Sequence, residues 1–390
     1  MDVASLLKNN RCGHQPKWSQ LGLDVGDLPI HVKKVEAARM TRPNDGPKDP
    51  RQYLDDMAEA LGDPELKRRW FRVRKWITEK QVGVPRGSIV EADLNEAEVT
   101  LMFDAGQCAH TTFEMVEGTV VIFTVPEHFK QRRRVIKHTK AFNQAFGKDT
   151  LEGIRLLSNK DLVQSVHDGE YAICVDYSAY FDQIPLSENV SRGFCFPVGG
   201  QWYRLTRLPM GMRQSVDVAQ TASEVIASFA HPSGIRIDVY VDNVRILGHV
   251  KEDVIEAAVS LIQRCRAVNV QINEIAADED AREAAKRLIR SDGEFLGVHF
   301  NYITKKVRVG EKAIAKLAAL ERLLSAAQDR FSHRNFLGVF GLLFFALQVT
   351  RLPARGVEET SEGAGAARDQ VQVLAVTPEG DRALDRRHAA

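Results

Sequence analysis

The chain has 390 residues, of which 44% are apolar and 27% are charged. This composition is globular, and the length allows a sizeable core and two or three subdomains. The formal net charge of +1 does not by itself indicate a nucleic-acid-binding protein, so that class of function has to be judged from local clusters of charge.

The cysteines predict reduced, partly buried thiols, because they are scattered and form no CxxC pair. They are Cys12, Cys108, Cys174, Cys195 and Cys265. The N-terminus has no charged-then-apolar signal pattern, and the longest apolar run, Leu337 to Leu347, is too short to span a bilayer. We therefore expect an intracellular, soluble protein, cytoplasmic or nuclear, with no membrane partner.

Residues 1–90 mix charged residues with Pro, Gly and Asn, and predict a partly irregular leader with one or two helices. Within it, Trp70 to Trp76 combines aromatic and basic residues. Such a stretch can stack nucleic-acid bases. An amphipathic helix that covers a core with its Trp side chains is the favoured interpretation.

Thr119 to Val125 predicts a buried strand, because β-branched and aromatic residues fill it. A sharply basic segment follows it, with six cations in eleven residues. These are Lys130, Arg132, Arg133, Arg134, Lys137 and Lys140. Such runs are usually solvated surface, but Val135 and Ile136 inside this one indicate a strand that holds some of the cations in fixed directions.

The middle of the chain predicts an α+β arrangement. Tyr171 to Val175 is a short apolar strand that ends on Asp176, and alternation from Ile235 to Asp242, with an apolar stretch directly after it, predicts a hairpin with Asp242-Asn243 at or near its tip. Between these strands, a helix begins near Ser215 or Asp217 as N-cap. Two apolar stripes predict the helices of this region. They are Ala219, Ala222, Val225, Ile226 and Phe229, and then Val254, Ala258, Leu261, Ile262 and Cys265.

Beyond Gly310, two further apolar patterns predict a small helical subdomain, the second behind a Ser332 cap. They are Ile314/Leu317/Leu320/Leu324 and Phe336/Phe340/Leu343/Phe344/Leu347. The stretch from Leu352 to Ala390 lacks aromatic, Ile, Met and Cys residues, so we expect it to be disordered. The abrupt change suggests a reading-frame scar or truncation.

Two aspartates, Asp176 and Asp242, stand at strand ends. If the strands are neighbours in one sheet, the carboxylates converge on a pair of divalent cations, as two-metal phosphoryl transfer requires. Each also has a plain structural interpretation, because Asp often ends a strand and Asp-Asn suits a two-residue turn.

Several motifs occur in an order that resembles the palm and fingers of reverse transcriptases. They are Val175 to Leu186, Leu208 to Met212 running into a helix with Gln220, Tyr240 to Asn243, Phe295 to Gly297, and the basic stretch Arg133 to Asn143. The resemblance covers roughly residues 100 to 350 and looks closest to retrotransposon enzymes, particularly DIRS-like tyrosine-recombinase elements and their trypanosomatid VIPER-type relatives. It implies an α+β right-hand polymerase fold, with an antiparallel palm sheet backed by helices and a partial helical thumb.

The resemblance also implies site residues. Asp176 and Asp242 match the catalytic, metal-binding aspartates, with the Tyr177 carbonyl and Asn243 as further ligands of two Mg²⁺ or Mn²⁺ ions. Asn243 departs from the second aspartate usual in the family, which removes a negative charge and weakens metal affinity. Phe181 matches the steric gate that selects deoxynucleotides, although a plain core aromatic is the alternative.

The expected nucleotide-binding residues come from the fingers motif and from the loop that precedes the helix. They are Arg133 or Arg134, with Arg133 slightly favoured, and Lys137, Lys140, Phe181, Met210, Gly211 and Gln220. The two lysines are alternatively contacts to template phosphates. Met210 replaces a common Gln, and Gly211 permits close backbone approach. Phe295, Leu296 and Gly297 match the primer grip, and a β-turn with core anchors is compatible with that role.

The expected organisation is a leader at 1–90, fingers at 91–165, a palm at 166–300 with a fingers insertion around 187–210, a thumb or connection start at 301–351, and the tail at 352–390. The function this implies is RNA-directed DNA synthesis from deoxynucleoside triphosphates (dNTPs) on an RNA or DNA template-primer, in retrotransposon replication. The alternative is a catalytically inactive scaffold that binds RNA or an RNA–DNA hybrid. The contiguous Asp278-Glu279-Asp280 indicates a solvated loop, and no ribonuclease H is expected. The oligomeric state is left open.

Overall fold

A computed structural model describes residues 28–43, 52–84, 86–127, 130–146, 154, 156–326 and 333–350, apart from the side chains of 319–339. These residues form two compact units. The larger comprises the described parts of Trp18–Leu157 and Asp168–Arg290, and the smaller those of Ser158–His167 and Ser291–Ala390. Within the described ranges, no helix has the length and apolar character needed to cross a membrane.

The strands form four three-stranded sheets with the orders β1-β4-β3, β2-β7-β6, β5-β9-β8 and β10-β11-β12. The strands are β1 (Ile30–His31), β2 (Cys108–Thr111), β3 (Val121–Glu127), β4 (Arg132–His138), β5 (Tyr171–Asp176), β6 (Cys195–Val198), β7 (Gln201–Leu205), β8 (Arg236–Tyr240), β9 (Asn243–Gly248), β10 (Asp292–Phe295), β11 (Val298–Asn301) and β12 (Lys306–Val309). The last sheet belongs to the smaller unit and the other three to the larger.

Helices occur throughout both units. They are α1 (Leu54–Glu59), α2 (Pro64–Val73), α3 (Lys75–Thr78), α4 (Glu96–Asp104), α5 (Lys140–Ala145), α6 (Asn159–Gln164), α7 (Tyr180–Gln183), α8 (Glu188–Ser191), α9 (Arg213–Ala227), α10 (Lys251–Ala267), α11 (Ala281–Leu288), α12 (Glu311–Ala326) and α13 (His333–Thr350).

The core of the larger unit lies between the β5-β9-β8 sheet and the helices α9 and α10. Both strand pairs are antiparallel, as predicted. Val244 and Ile246 of β9 are fully buried, and so are Val225 of α9 and Leu261 of α10. Each such aliphatic side chain contributes about 1.5–3 kcal/mol by leaving water. The apolar stripes predicted for both helices are therefore confirmed, except that Phe229 lies beyond the end of α9.

The predicted start of α9 is wrong by a few residues. The helix begins at Arg213 with Met212 as N-cap, and no side chain caps it. Ser215 instead donates its hydroxyl hydrogen bond to the Pro209 carbonyl oxygen at 2.7 Å. A preference for Ser or Asp at the N-cap gave the wrong position because Ser215 bonds to the preceding loop from inside the first turn.

Strand β3 is less buried than predicted. Only Ile122 among its residues is buried, and Val125 is 40% exposed. The strand pairs along its whole length with the basic strand β4. An apolar run indicates a strand but does not show whether both of its faces are covered. Thr119, Val120 and Ile122 are buried as expected, and the expectation was wrong for Val125.

The described part of residues 1–90 contains three short helices, α1 to α3, rather than one or two. Trp70 is fully buried and donates its indole N–H to Asp55 at 2.8 Å. Arg69 of the same helix pairs with Glu224 of α9 at 2.8 Å. These contacts confirm that the helix carrying Trp70 is amphipathic and covers the core.

The smaller unit contains the β10-β11-β12 sheet, α6, α12 and α13. The apolar stripe predicted for α13 is wrong, since Phe340 and Phe344 are 37% and 41% exposed, whereas Ala346 and Val349 are buried. This helix is apolar on most sides, so its sequence does not select the inward face. Ser332 and the tail from Leu352 lie outside the described residues.

The acidic segment that ends at Asp280 and the cysteines were also assigned from the sequence. Asp280 accepts hydrogen bonds from the backbone of Arg282 and Glu283 and caps α11, so the predicted solvated loop in fact begins a helix. The cysteines inside the described ranges are free thiols, as predicted. These are Cys108, Cys174, Cys195 and Cys265, and Cys12 lies outside those ranges.

Candidate metal and nucleotide site

Asp176 and Asp242 lie at the same end of one sheet, Asp176 on β5 and Asp242 in the turn that leads into the neighbouring strand β9. Asp176 is the last residue of β5 and pairs with Asn243, the first residue of β9. The backbone N–H of Tyr177 donates to the Asp242 carbonyl oxygen at 2.8 Å. The strand predicted to end at Asp242, β8, is not adjacent to β5, because β9 lies between them. The expectation of neighbouring strands was wrong, but the turn from β8 into β9 still brings Asp242 beside the end of β5.

Asp242 stands in a two-residue turn, and the other turn residue is strained. Tyr240 pairs with Asn243, which leaves Val241 and Asp242 as the turn. The predicted tip was Asp242-Asn243, but Asn243 already belongs to β9. Val241 has a φ of 56°, a conformation that is a genuine outlier for a β-branched residue and that clusters at functional sites.

Two side chains of α9 hold this turn. The Gln220 amide oxygen accepts from the Val241 N–H at 2.6 Å, and its amide nitrogen donates to the Val239 carbonyl at 3.2 Å. Ser223 donates its hydroxyl hydrogen bond to the Val241 carbonyl at 2.5 Å. Both backbone groups of the strained residue are thus bonded from the helix. Gln220 is 1% exposed, and its predicted nucleotide contact stays a prediction.

The ionised carboxylates of Asp176 and Asp242 repel each other. Burial raises the pKa of Asp242 above its ordinary value, and the neighbouring Asp176 charge raises that pKa further, against weaker opposition from the Asn243 amide. Burial also raises the pKa of Asp176, against a hydrogen bond from Asn273 and the charge of Lys33. A divalent cation between the carboxylates would relieve this repulsion.

A segment that follows α10 completes the surroundings of Asp176. Asn273 donates from its amide nitrogen to a carboxylate oxygen of Asp176 at 2.5 Å, and its backbone N–H donates to the Asp176 carbonyl at 2.9 Å. The Glu274 carboxylate accepts from the Asp176 N–H at 3.2 Å. Lys33 donates to the Asn273 amide oxygen at 2.6 Å. Sequence analysis missed these three residues, since no local motif surrounds them.

The donor set fits a hard divalent cation. Carboxylate and carbonyl oxygens are the ligands that Mg²⁺ prefers, and Asp176 and Asp242 supply two carboxylates. Within the described ranges no group of three His, Cys, Asp or Glu side chains is placed to hold a metal. Asn243 donates from its amide nitrogen to the Asp242 carboxylate at 3.0 Å, which orients that carboxylate.

Strand β4 and the loop before α9 meet at several of the predicted nucleotide-binding residues. Lys137 is buried and pairs with Asp182 at 2.5 Å. A Cβ atom on Gly211 would lie 2.4 Å from the Lys137 carbonyl oxygen, so only glycine permits this approach. Asn143 donates to the Gly211 carbonyl at 2.8 Å and accepts from the Arg213 N–H at 3.0 Å.

The two candidate clamp arginines have different surroundings. Arg133 is buried, forms an ion pair with Glu98 and donates to the Thr124 hydroxyl. Arg134 is half-exposed and pairs with Glu127 at 2.6 Å. A buried, paired guanidinium is less available to a phosphate than an exposed one, so the preference for Arg133 gains no support.

The remaining predicted nucleotide residues border the same region. Met210 is 61% exposed on the loop, and Lys140 is exposed at the start of α5. Phe181 is partly buried and packs against the core, which is compatible with both a steric gate and a core aromatic. Their contacts with nucleotide stay predictions.

The predicted primer grip forms a tight hairpin turn in the smaller unit. Phe295 pairs with Val298 and is buried. Leu296 and Gly297 both have positive φ, 51° and 78°, as in a type I′ turn. The Gly310 N–H donates to the Gly297 carbonyl at 2.7 Å. The predicted β-turn with core anchors is confirmed, and its role toward a primer is untested.

The fold of the chain is similar to solved structures. The chain has an α+β fold whose solved structural neighbours are reverse transcriptases with a polymerase fold. One neighbour is the foamy viral protease-reverse transcriptase dRH in complex with ds DNA, at a TM-score of 0.56 and 14% identity, covering 86% of this chain and 62% of that one. Another, the foamy viral protease-reverse transcriptase in complex with RNA/DNA hybrid, has a TM-score of 0.51 and 14% identity, covering 86% and 47%.

A curated relative points in the same direction. Over 148 residues, 38% of this chain and 12% of the relative, the chain is 22% identical to the retrovirus-related Pol polyprotein from transposon 412 of Drosophila melanogaster. No protein-family profile matches the chain. The chain spans less than two thirds of these proteins. At such identities the structural likeness shows the fold alone, and the chain is reverse transcriptase-like with weak homology to a retrotransposon Pol polyprotein.

Proposed function

We propose that this protein is an RNA-directed DNA polymerase of a retrotransposon. The observation that carries the proposal is the pair of carboxylates at one end of a sheet backed by two helices, with Asp176 at the end of β5 and Asp242 in the turn that leads into the adjacent strand β9. Their elevated pKa values, one raised partly by the other, mark a site that gains from a bound cation. The reverse transcriptase-like fold sets this pair in a polymerase context.

Asp176, Asp242, the Tyr177 carbonyl and Asn243 would hold two Mg²⁺ or Mn²⁺ ions. Bound there, the metals supply Lewis-acid stabilisation of the attacking and leaving oxygens in phosphoryl transfer. Gln220 and Ser223 fix the turn that carries Asp242, and Asn273 fixes the Asp176 carboxylate.

The substrates we infer are dNTPs and an RNA or DNA template-primer. The foamy viral enzymes among the structural neighbours were solved with dsDNA and with an RNA/DNA hybrid, which supports this class of partner. Arg134, Lys137, Lys140, Met210 and Gly211 border the place where the nucleotide would lie, with Phe181 as the gate against ribonucleotides. The sequence motifs favour a DIRS-like or VIPER-type element as the source.

Primer extension with Mg²⁺ or Mn²⁺, on RNA and on DNA templates, tests the proposal. We expect the wild-type chain to extend a primer with dNTPs, and Asp176→Asn to reduce extension by at least about a hundredfold, because it removes a direct metal ligand whereas outer partners alone are worth about 10–100-fold. Asp278→Asn, a substitution of an exposed aspartate, is the matched control and should extend like wild type. Extension that survives in Asp176→Asn would refute the mechanism.

A second candidate function is an inactive scaffold that binds an RNA–DNA hybrid. The observations that favour it are Asn243 in place of a carboxylate and the pairing of Arg133 and Lys137 with acidic side chains, which lowers the positive charge offered to phosphates. Hybrid binding without extension under any metal condition would select this function over the first.

A further inference from the structure

The segment 28–43, here called the N-terminal strap, is built into the larger unit. Ile30 and His31 pair in parallel with the fingers strand β4. Further along, the Ala38 N–H donates to the Gln183 carbonyl and the Arg39 N–H donates to the Val268 carbonyl, both at 2.8 Å. Because this stretch is bonded to the unit at both ends, the residues between them have a defined course.

That course brings Lys33 to the candidate metal site. Its ammonium donates to the Asn273 amide oxygen at 2.6 Å, and the Asn273 amide nitrogen donates to the Asp176 carboxylate at 2.5 Å. One amide group therefore separates the lysine from a candidate metal ligand.

Lys33 differs in availability from the cations of strand β4. Arg133, Arg134 and Lys137 all pair with carboxylates. Lys33 is exposed, and in the part of the chain that the structure describes its ammonium bonds to a neutral amide and to no carboxylate. Exchanging that amide oxygen for an anionic phosphate oxygen would be favourable, since charge-assisted hydrogen bonds are roughly twice as strong as neutral ones.

We propose that Lys33 binds the terminal phosphates of the incoming dNTP and the pyrophosphate released from it. This inference rests on the proposed function, because phosphates ligated to metals on Asp176 would lie within reach of a cation one amide away. The flexible stem and point charge of lysine suit a phosphate contact that forms and breaks in each cycle. The strap thereby supplies a phosphate-binding cation from outside the fingers.

The test compares Lys33→Met with Lys34→Met, in which the next residue, also exposed, loses its charge instead. The measurements are KM for dNTP in primer extension, KM for pyrophosphate in the reverse reaction, and binding of magnesium pyrophosphate by isothermal titration calorimetry. We expect Lys33→Met to raise both KM values and to weaken the binding of magnesium pyrophosphate, each by about 10–100-fold. A factor of this size corresponds to the free energy of one hydrogen bond to a charged group. Lys34→Met should stay near wild type, and Lys33→Arg should recover most of the loss.

A merely structural role for Lys33 predicts a different pattern. If the lysine only holds Asn273 in place, Lys33→Met and Asn273→Ala would both weaken Mn²⁺ binding to the protein without nucleotide. Our account predicts weaker Mn²⁺ binding for Asn273→Ala alone. Equal affinity of Lys33→Met and Lys34→Met for pyrophosphate would overturn the inference while wild-type extension still stands, whereas absence of wild-type extension would overturn the proposed function itself.

Discussion

Two hairpin turns of this protein each place a bulky aliphatic residue in the left-handed region, and they reach that conformation by different routes. In the β10–β11 turn, Leu296 is followed by Gly297 and both have positive φ, so the turn follows a local rule of sequence. In the β8–β9 turn, Val241 alone has positive φ and is followed by Asp242. Its two backbone groups are bonded by Gln220 and Ser223.

The two turns are therefore stabilised by different parts of the chain. The β10–β11 turn is specified largely by its own glycine, whereas the turn that carries Asp242 depends on a helix distant in sequence. Strained backbone persists only where the surroundings over-determine it. We therefore expect the first turn to be sensitive to changes within itself and the second to changes in α9.

The largest expected effect is on the β8–β9 turn. Gln220→Leu removes the acceptor for the Val241 N–H and the donor to Val239, so Asp242 loses its fixed position. Substituting residues that position the ligands of a metal site typically lowers activity by about 10–100-fold. We expect kcat for nucleotide incorporation to fall by that factor. Gln201→Leu, at an exposed position of β7, is the matched control. An unchanged kcat in Gln220→Leu would show that the conformation of the turn does not depend on Gln220.

The β10–β11 turn should respond to its glycine. Gly297→Ala places a Cβ on a residue with a φ of 78°, 3.4 Å from the Phe345 ring, and should lower the free energy of unfolding by about 1–2 kcal/mol. Gly293→Ala in the same hairpin has ordinary φ and open space within 4 Å, so it should change little. Denaturant unfolding measures both, and equal losses in the two variants would contradict a local origin for this turn.

A smaller effect concerns charge at the Asp242 turn. The pKa of Asp242 is raised on folding from its ordinary value of 3.8, so the folded state binds that proton more tightly than the unfolded state. Stability without divalent metal should therefore fall as pH rises from that ordinary value through the raised one. Asp242→Asn removes the penalty and should unfold at a higher temperature than wild type at pH 7, with the difference vanishing below the ordinary value.

Magnesium supplies the control for this experiment. A cation that binds only the folded state raises its unfolding temperature, so Mg²⁺ should stabilise wild type and have little effect on Asp242→Asn. A wild-type protein that is more stable than Asp242→Asn in the absence of metal would contradict the repulsion between the two aspartates.

Sequence patterns predicted the parts of the site that local rules specify. Alternation from Ile235 and the apolar run before Asp176 placed both aspartates at strand ends, and the structure has Asp176 as the last residue of β5 and Asp242 in the turn between β8 and β9. The predicted turn, Asp242-Asn243, is one position later than the observed turn, Val241-Asp242. The prediction favoured Asp and Asn because they tolerate positive φ better than Val does. Val241 is held in the left-handed conformation by hydrogen bonds from the side chains of Gln220 and Ser223.

The parts that could not be predicted depend on contacts between distant residues. Lys33 and Asn273 are 240 residues apart, and neither lies in a recognisable motif. Burial of Arg133 of β4 beside Glu98 of α4 brings together residues that are 35 positions apart, which neighbouring residues do not encode. The stripe on α13 failed for a related reason, since a helix that is apolar on most sides leaves its inward face to tertiary packing.

Single-turnover incorporation of one dNTP into a template-primer tests the central claim most directly, because it isolates the step that the two aspartates would support. We predict that wild type incorporates the nucleotide in the presence of Mg²⁺ and that Asp242→Asn, although folded and more heat-stable without metal, incorporates it at least about a hundredfold more slowly. Incorporation by Asp242→Asn at the wild-type rate would contradict the account.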